Sequence, residues 1–266
     1  MLLSHPRYIC IIRDDDVTTV QMISTHIPSG EYVWSPGLPD DGLNVISATV
    51  TPDGMIHGIA GDMGCLHVSR LIGSDLWDVQ EITRSDSEMA FYGIWYTGVD
   101  DMINVAGRIG PHGFTHMYNL DPASSAATHG VWIDNTLFGA CLTVRGHTAV
   151  VTFAAGPLDS RGVGLYDLHR EEFFCARMMF PNTLCACLTD SHLYIMRDRF
   201  GPCIYIIDII HKKRQSRIDV PNVPHMPSGH ALMYLNNSLV LCLRESPTVL
   251  SFYSYDDAKR VWHKIQ

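Results

Sequence analysis

The stretch Ala231–Lys264, ALMYLNNSLVLCLRESPTVLSFYSYDDAKRVWHK, reads as four short strands separated by turns. Apolar and aromatic runs occupy 231–234, 238–243, 249–255 and 260–264. Asn236-Asn237 lies between the first two runs, and Asn tolerates the positive φ that a two-residue hairpin turn needs. We therefore expect one antiparallel sheet, with strands a, b, c and d in chain order.

The same pattern of strand, polar turn and strand recurs along the chain. Each a–b turn has one marker residue, and successive markers are 47, 45, 45 and 46 residues apart. These markers are Asp53, Asp100, Arg145, Asp190 and Asn236. A fixed period of this length is typical of a repeat architecture in which each repeat is one small sheet.

A bulky residue on or beside strand d gives a second marker. These residues are Trp34, Trp77, Trp132, Phe174, Ile218 and Trp262, spaced by 43, 55, 42, 44 and 44. Extra residues at Thr83–Ala90 and Pro122–His129 explain the one long interval. Two independent markers thus keep a single period.

A four-stranded unit cannot bury both faces alone, so neighbouring units must stack, and stacking around an axis produces a propeller. Small residues five positions before most a–b markers, such as Ala48, Ala140 and Ala231, suit strands near the axis. We predict an all-β, six-bladed β-propeller forming a single domain over 1–266. The predicted blades are 1–40, 41–86, 87–135, 136–181, 182–222 and 223–266.

The first unit is short. Residues 7–34 supply strands b, c and d, which leaves only Met1–Ser4 for strand a. Either those residues form a truncated inner strand or the sequence belongs to a longer chain. Without a full inner strand, the first blade has three strands.

The segment from Tyr253 to Trp262 resembles the kelch and galactose-oxidase-like propellers, with its tyrosine on strand c, acidic turn and tryptophan on strand d. Tyr166-Asp167 followed by Phe174 is similar. The paired glycines of that family are weakened here to pairs such as Ala60-Gly61. The resemblance implies a kelch-like propeller that serves as a protein-interaction module.

Charge and cysteine content narrow the function classes. A net charge of −9 argues against a nucleic-acid binder that works by overall attraction. No apolar run is long enough for a spanning helix, so we expect no membrane partner. The eight cysteines lack metal-type spacing and several lie in apolar runs. Reduced core cysteines, and hence a cytoplasmic protein, are expected.

Arginines concentrate in the predicted b–c loops and their borders. Four predicted blades contribute Arg108, Arg161, Arg197, Arg199 and Arg244 to the same face of the propeller. Two histidines, His112 and His225, fall on loops of this face as well. Because guanidinium groups bind carboxylates and phosphates through paired hydrogen bonds, these residues predict a site for an acidic or phosphorylated partner. The alternative is that the arginines are solvated or paired with nearby acidic residues.

No catalytic motif is recognisable. The chain lacks a Gly-x-Ser-x-Gly elbow, a His-Glu-x-x-His pair and a glycine-rich phosphate loop, so we predict no catalytic residues, no metal and no cofactor. The favoured function is a non-catalytic module that binds a peptide or protein surface, as an adaptor, a scaffold or a pathogen decoy. The alternative is a small-molecule or sugar-acting enzyme with its site at the channel mouth. The oligomeric state is not predicted.

Overall fold

The computed structural model describes residues 7–14, 17–25, 32–35, 45–71, 74, 76–83, 89–97, 102–109, 115–133, 141–155, 160–174, 178–179, 183–197, 202–211, 213–221, 230–235, 237–246 and 249–265. Side chains are described only from Val45 onward. All the regular elements are β-strands, as the alternation of apolar runs and turns predicts.

The strands group into consecutive antiparallel sheets, each following chain order. An N-terminal sheet contains β1 (Arg7–Asp14), β2 (Val17–Thr25) and β3 (Tyr32–Ser35). Blade I contains β4 (Val45–Val50), β5 (Met55–Ala60), β6 (Leu66–Leu71) and β7 (Asp78–Glu81). Blade II contains β8 (Met89–Tyr96), β9 (Ile103–Ile109), β10 (Thr115–Asp121) and β11 (Ala126–Ile133).

Three further blades complete the described chain. Blade III contains β12 (Cys141–Arg145), β13 (Thr148–Ala155), β14 (Ser160–Asp167), β15 (Glu172–Phe173) and β16 (Met178–Met179). Blade IV contains β17 (Thr183–Leu188), β18 (His192–Arg197), β19 (Cys203–Asp208) and β20 (Lys213–Asp219). Blade V contains β21 (Ala231–Leu235), β22 (Ser238–Ser246), β23 (Val249–Asp256) and β24 (Val261–Lys264).

The expected count of six blades is wrong, because among the described residues five sheets have the blade pattern and the N-terminal sheet has three strands. The expected role of its strands also changes. β1 lies beside β4, the inner strand of blade I, just as β4 lies beside β8. The first strand of the N-terminal sheet therefore takes the inner position, and no outer strand of this sheet is among the described residues. In blade III the outer position is shared by β15 and β16, which both pair with β14.

Hydrogen bonds between neighbouring blades follow the sequence period. The backbone N–H of Ile94 donates to Ser47 Oγ at 3.2 Å, and the N–H of Tyr96 donates to Thr49 Oγ1 at 3.0 Å. Each pair is 47 residues apart, which is the spacing of the a–b markers Asp53 and Asp100. Successive inner strands therefore stand in equivalent positions in blades I and II.

The a–b turns have the backbone conformation that their residue types predict. Gly54, Gly146 and Asn237 have φ of 88°, 56° and 59°, a region that favours Gly and Asn. Each of these three residues directly follows the marker residue of its a–b turn. The turn chemistry read from the sequence is thus confirmed at three blades.

The c–d turns share a second device. An aspartate at the end of strand c accepts backbone N–H groups two or three residues later, as Asp208 does from His211 at 2.9 Å. These bonds, with the contact to the His211 ring, hold the pKa of the Asp208 carboxyl at about 2. Four blades have this arrangement, at Asp121, Asp167, Asp208 and Asp256. The sequence pattern identified the acidic turn only after strands ending at Tyr166-Asp167 and Asp256.

The hydrophobic core lies in layers between adjacent sheets. Ile59 of blade I packs in one cluster with Val105 of blade II, and Met196 of blade IV packs with Leu241 of blade V. All four side chains are fully buried. Burial of this kind requires neighbouring blades, which explains why the repeat is contiguous along the chain.

No disulfide joins the six cysteines whose side chains the structure describes, and four of them are buried. They pack as small apolar side chains. Among the described residues, no helix is long and apolar enough to cross a membrane.

Candidate functional site: the arginine edge

Four arginines lie at one edge of the blades, where strand b ends and strand c begins. Arg108 is near the end of β9 and Arg197 is the last residue of β18. Arg244 is in the last third of β22, and Arg161 is the second residue of β14. Because b–c connections of stacked blades share one side of a propeller, blades II–V each bring an arginine to this side. We call these four positions the arginine edge.

The remaining predicted site residues, Arg199, His112 and His225, lie outside the described residues. For Arg161 and Arg244 the structure describes the backbone only. The contacts of the site can therefore be built from Arg108 and Arg197.

The guanidinium of Arg108 lies over the ring of Tyr92, 5.6 Å from its centroid. It has no carboxylate partner within the described part of the chain. A cation over an aromatic face is held without neutralising its charge. Arg108 thus keeps hydrogen-bond donors for an external anion while its position is restrained.

Tyr92 is itself anchored between two blades. Its hydroxyl lies 3.0 Å from Thr115 Oγ1 in blade II and accepts the N–H of Cys141 in blade III at 3.1 Å. Burial raises the pKa of Tyr92 to about 12, so the hydroxyl stays protonated. The platform beneath Arg108 is therefore part of the junction between blades II and III.

We expect Tyr92→Phe to lower the free energy of unfolding by about 1–2 kcal/mol, because the buried N–H of Cys141 loses its acceptor while the ring remains. Urea denaturation followed by tryptophan fluorescence measures this change. Tyr255→Phe, in a half-buried tyrosine of blade V, is the control and should cost less. Equal losses in the two variants would show that the Tyr92 hydroxyl does not join the blades.

Arg197 repeats this arrangement in blade IV. Its guanidinium lies over the ring of Tyr205, 5.4 Å from the centroid. Tyr205 is on strand c, whereas Tyr92 is on strand a. The sequence pattern did not assign either tyrosine to the site, because pairing with arginine depends on strand register rather than on spacing.

Donors and charge define what this edge can do. Guanidinium groups offer N–H donors and permanent positive charge, which suits recognition of anions rather than proton transfer. Among the described residues, no group of three or more His, Cys, Asp or Glu side chains is arranged to hold a metal ion.

A buried polar chain, which the sequence did not predict, joins blade I to the c–d turn of blade II. His57 Nδ1 lies 3.1 Å from His67 Nε2, and His67 Nδ1 lies 2.7 Å from Ser125 Oγ. Ser125 donates to Gln80 Oε1 at 3.0 Å, while Gln80 Nε2 donates to Asp78.

The direction of the hydrogen bonds in this buried polar chain can be worked out from its last bond, in which Gln80 donates to Asp78. Since Asp78 takes the NH₂ group of Gln80, Gln80 presents its oxygen to the Ser125 hydroxyl. His67 Nδ1 then donates to Ser125, and in a neutral His67 the Nε2 atom accepts from His57. The neutral form suits this position, because His67 is only 2% exposed.

Sequence comparisons do not place the chain in a family. No protein-family model matches it. A search of curated proteins also finds no relative. The kelch resemblance therefore stays a resemblance.

Solved structures similar to the chain share its fold at low sequence identity. TolB from Acinetobacter baumannii matches with a TM-score of 0.64 and 12% identity over 97% of this chain. The chain spans 62% of the length of that protein. Kuenenia stuttgartiensis hydrazine synthase matches with a TM-score of 0.57 and 10% identity, over 97% of this chain and 79% of the other. At these identities the likeness shows the β-propeller fold alone.

Proposed function

We propose that this propeller is a non-catalytic binding module that recognises an acidic or phosphorylated segment of a partner protein through the arginine edge. The observation that carries the proposal is Arg108, held over Tyr92 with no carboxylate partner among the described residues. The same edge of three other blades carries an arginine as well. Such a module would serve as an adaptor or a scaffold.

The opposite edge differs in charge, which supports an orientation for the partner. Among the described residues there, Arg145 is paired with Asp190 at 2.9 Å and Lys259 with Asp256 at 3.2 Å. The c–d turns of four blades also begin with an aspartate on that side. An acidic partner would therefore be attracted to the arginine edge and repelled from the opposite one.

The test is direct binding of a defined probe. A fluorescein-labelled peptide of alternating glutamate and phosphoserine is titrated with wild-type protein and with the triple variant Arg108→Ala/Arg161→Ala/Arg244→Ala. We expect the dissociation constant to rise at least about thirtyfold, because each lost charged contact at a partly exposed site weakens binding by about 0.7 kcal/mol or more. Affinity of the wild type should also fall as salt is added.

The matched control removes the same charge elsewhere. Arg145→Ala/Arg170→Ala/Lys259→Ala takes three exposed cations that form ion pairs with Asp190, Asp167 and Asp256 at the opposite edge. This variant should bind the peptide as the wild type does. Equal weakening in both triple variants, or no binding of the peptide to the wild type, would overturn the proposal.

A further inference from the structure

A cavity of about 220 Å³ lies between blades II and III at the edge opposite the arginines. Its walls include Met102, Met117 and Leu168, and its mouth includes residues of the a–b and c–d turns of blade III. A dry cavity of about 150 Å³ accepts one benzene ring, so this space is large enough for a small ring system. Nothing in the proposed protein-binding function uses it.

Two asparagines on neighbouring strands give the cavity its polar wall. Asn104 of β9 donates through Nδ2 to Asn119 Oδ1 at 2.7 Å, and more weakly to the carbonyl of Tyr118 at 3.5 Å. Both asparagines line the cavity. The pairing fixes the Asn104 amide, because its NH₂ group faces two oxygens.

The oxygen of that amide is left without a partner. Asn104 is 3% exposed, and its Oδ1 has no hydrogen-bond partner among the described residues. A buried acceptor that makes no hydrogen bond costs about 1–3 kcal/mol. A small shift of the amide toward a ligand that carries an N–H donor would remove this cost.

The other lining groups favour a ligand that is aromatic and that carries no negative charge. Thioethers such as those of Met102 and Met117 contact ring edges favourably. At the mouth, the imidazoles of His147 and His169 lie 5.7 Å apart between centroids, and Glu171 adds a carboxylate. A carboxylate at the entrance disfavours a ligand that carries phosphate.

We propose that this cavity binds a small amino-substituted heteroaromatic molecule of nucleobase size. In the proposed complex the exocyclic amino group donates to Asn104 Oδ1 and the ring lies between the methionine side chains. Adenine carries an exocyclic amino group, which can donate to the Asn104 oxygen, on an uncharged heteroaromatic ring, and this makes adenine the natural probe. Binding requires no covalent step and no contribution from the arginine edge.

The test is ligand titration with adenine, monitored through the methyl signals of Met102 and Met117 in protein labelled at its methionine methyl groups. We expect saturable shifts of these two signals, with other methionine signals unchanged. Intermolecular contacts from the adenine ring to the two methyl groups should accompany them. Absence of saturable shifts up to the solubility limit of adenine, or shifts confined to other methionines, would overturn the proposal.

Asn104→Leu gives the mutational arm. It removes the amide while filling similar space, so we expect at least a tenfold weaker affinity for adenine with the unfolding temperature unchanged or raised. Arg170→Ala alters an exposed residue of the same turn that does not line the cavity, and it should bind adenine as the wild type does. Adenosine monophosphate should bind no better than adenine. Equal adenine affinity in Asn104→Leu and the wild type would contradict the site, and if Asn104→Leu does not fold, the wild-type titration decides.

Discussion

Replacing Gly64 by alanine is expected to lower the free energy of unfolding by about 4 kcal/mol, because the added Cβ forces the backbone to move. A Cβ at this position would stand 2.2 Å from the carbonyl oxygen of Phe91. Phe91 belongs to β8 of blade II, and its N–H donates to the carbonyl of Met63 at 2.9 Å. The alanine would therefore push the b–c loop of blade I off the inner strand of blade II.

The neighbouring Gly61 is a matched control. It also has a positive φ, 83° compared with 62° at Gly64, but its nearest contacts to an added Cβ are at 3.5 Å. Gly61→Ala should therefore cost only the conformational penalty of about 1–2 kcal/mol. Urea denaturation of both variants measures the two losses. Similar losses would show that close packing of the loop on Phe91 does not hold blades I and II together.

The second large effect is a loss of stability in acid that depends on His67. Burial lowers the pKa of His67 to about 4, compared with 6.5 in an unfolded chain, and the nearby His57 lowers it further while Asp78 raises it. Burial also lowers the pKa of His57, which Asp53 opposes. A second proton on His67 would place a charge in a buried site and would require the proton of His57 to move from Nδ1, 3.1 Å away, to the other ring nitrogen, so the charged form is disfavoured.

The sign follows from the lowered pKa. The folded state favours neutral His67, so its contribution is fully present above pH 6.5 and is lost progressively as the pH falls from 6.5 toward 4. The difference between the two pKa values corresponds to about 3 kcal/mol for this residue. We expect His67→Asn, which keeps an N–H donor for Ser125, to flatten the dependence of stability on pH across this range.

Urea denaturation at pH 7, 6, 5 and 4 gives the slope of the free energy of unfolding against pH. A loss of stability that the substitution causes equally at every pH does not change this slope. His263→Asn, at an exposed histidine of blade V, is the control and should leave the slope near that of the wild type. If His67→Asn and the wild type lose stability in parallel, the buried chain does not control acid unfolding.

The repeat was predictable because each of its parts has a local chemical signal. Asp53-Gly54 and Arg145-Gly146 supply residues that adopt the turn conformation, and the strands between them are apolar. Once the period was known, the stacking of Thr49 beside Tyr96 followed from equivalence of the units. Local turn chemistry and a fixed period were therefore enough to predict a β-propeller.

The blade count was not predictable in the same way. Trp34 keeps the period of the outer-strand marker, yet it lies on the third strand of the N-terminal sheet. The position of a strand within a sheet depends on which neighbour β1 joins, and no local signal in residues 7–35 specifies that. A side-chain marker therefore predicted a unit but not its place in the blade.

The candidate site was also predictable only in part. The sequence was sufficient to predict that Arg108, Arg161, Arg197 and Arg244 share an edge, since strand order alone determines this. It did not predict that Tyr92 would support Arg108, or that Asn104 would face Asn119. Such pairs depend on register between strands and on contacts between blades, which residue spacing does not specify.

Hydrogen exchange with the acidic phosphopeptide bound tests the central proposal most directly. We expect slower exchange where β9, β18 and β22 end and where β14 begins, at the arginine edge of blades II–V. Exchange at the c–d turns that begin with Asp121, Asp167, Asp208 and Asp256 should not change. Protection of those aspartate turns, with the arginine edge unchanged, would contradict the account.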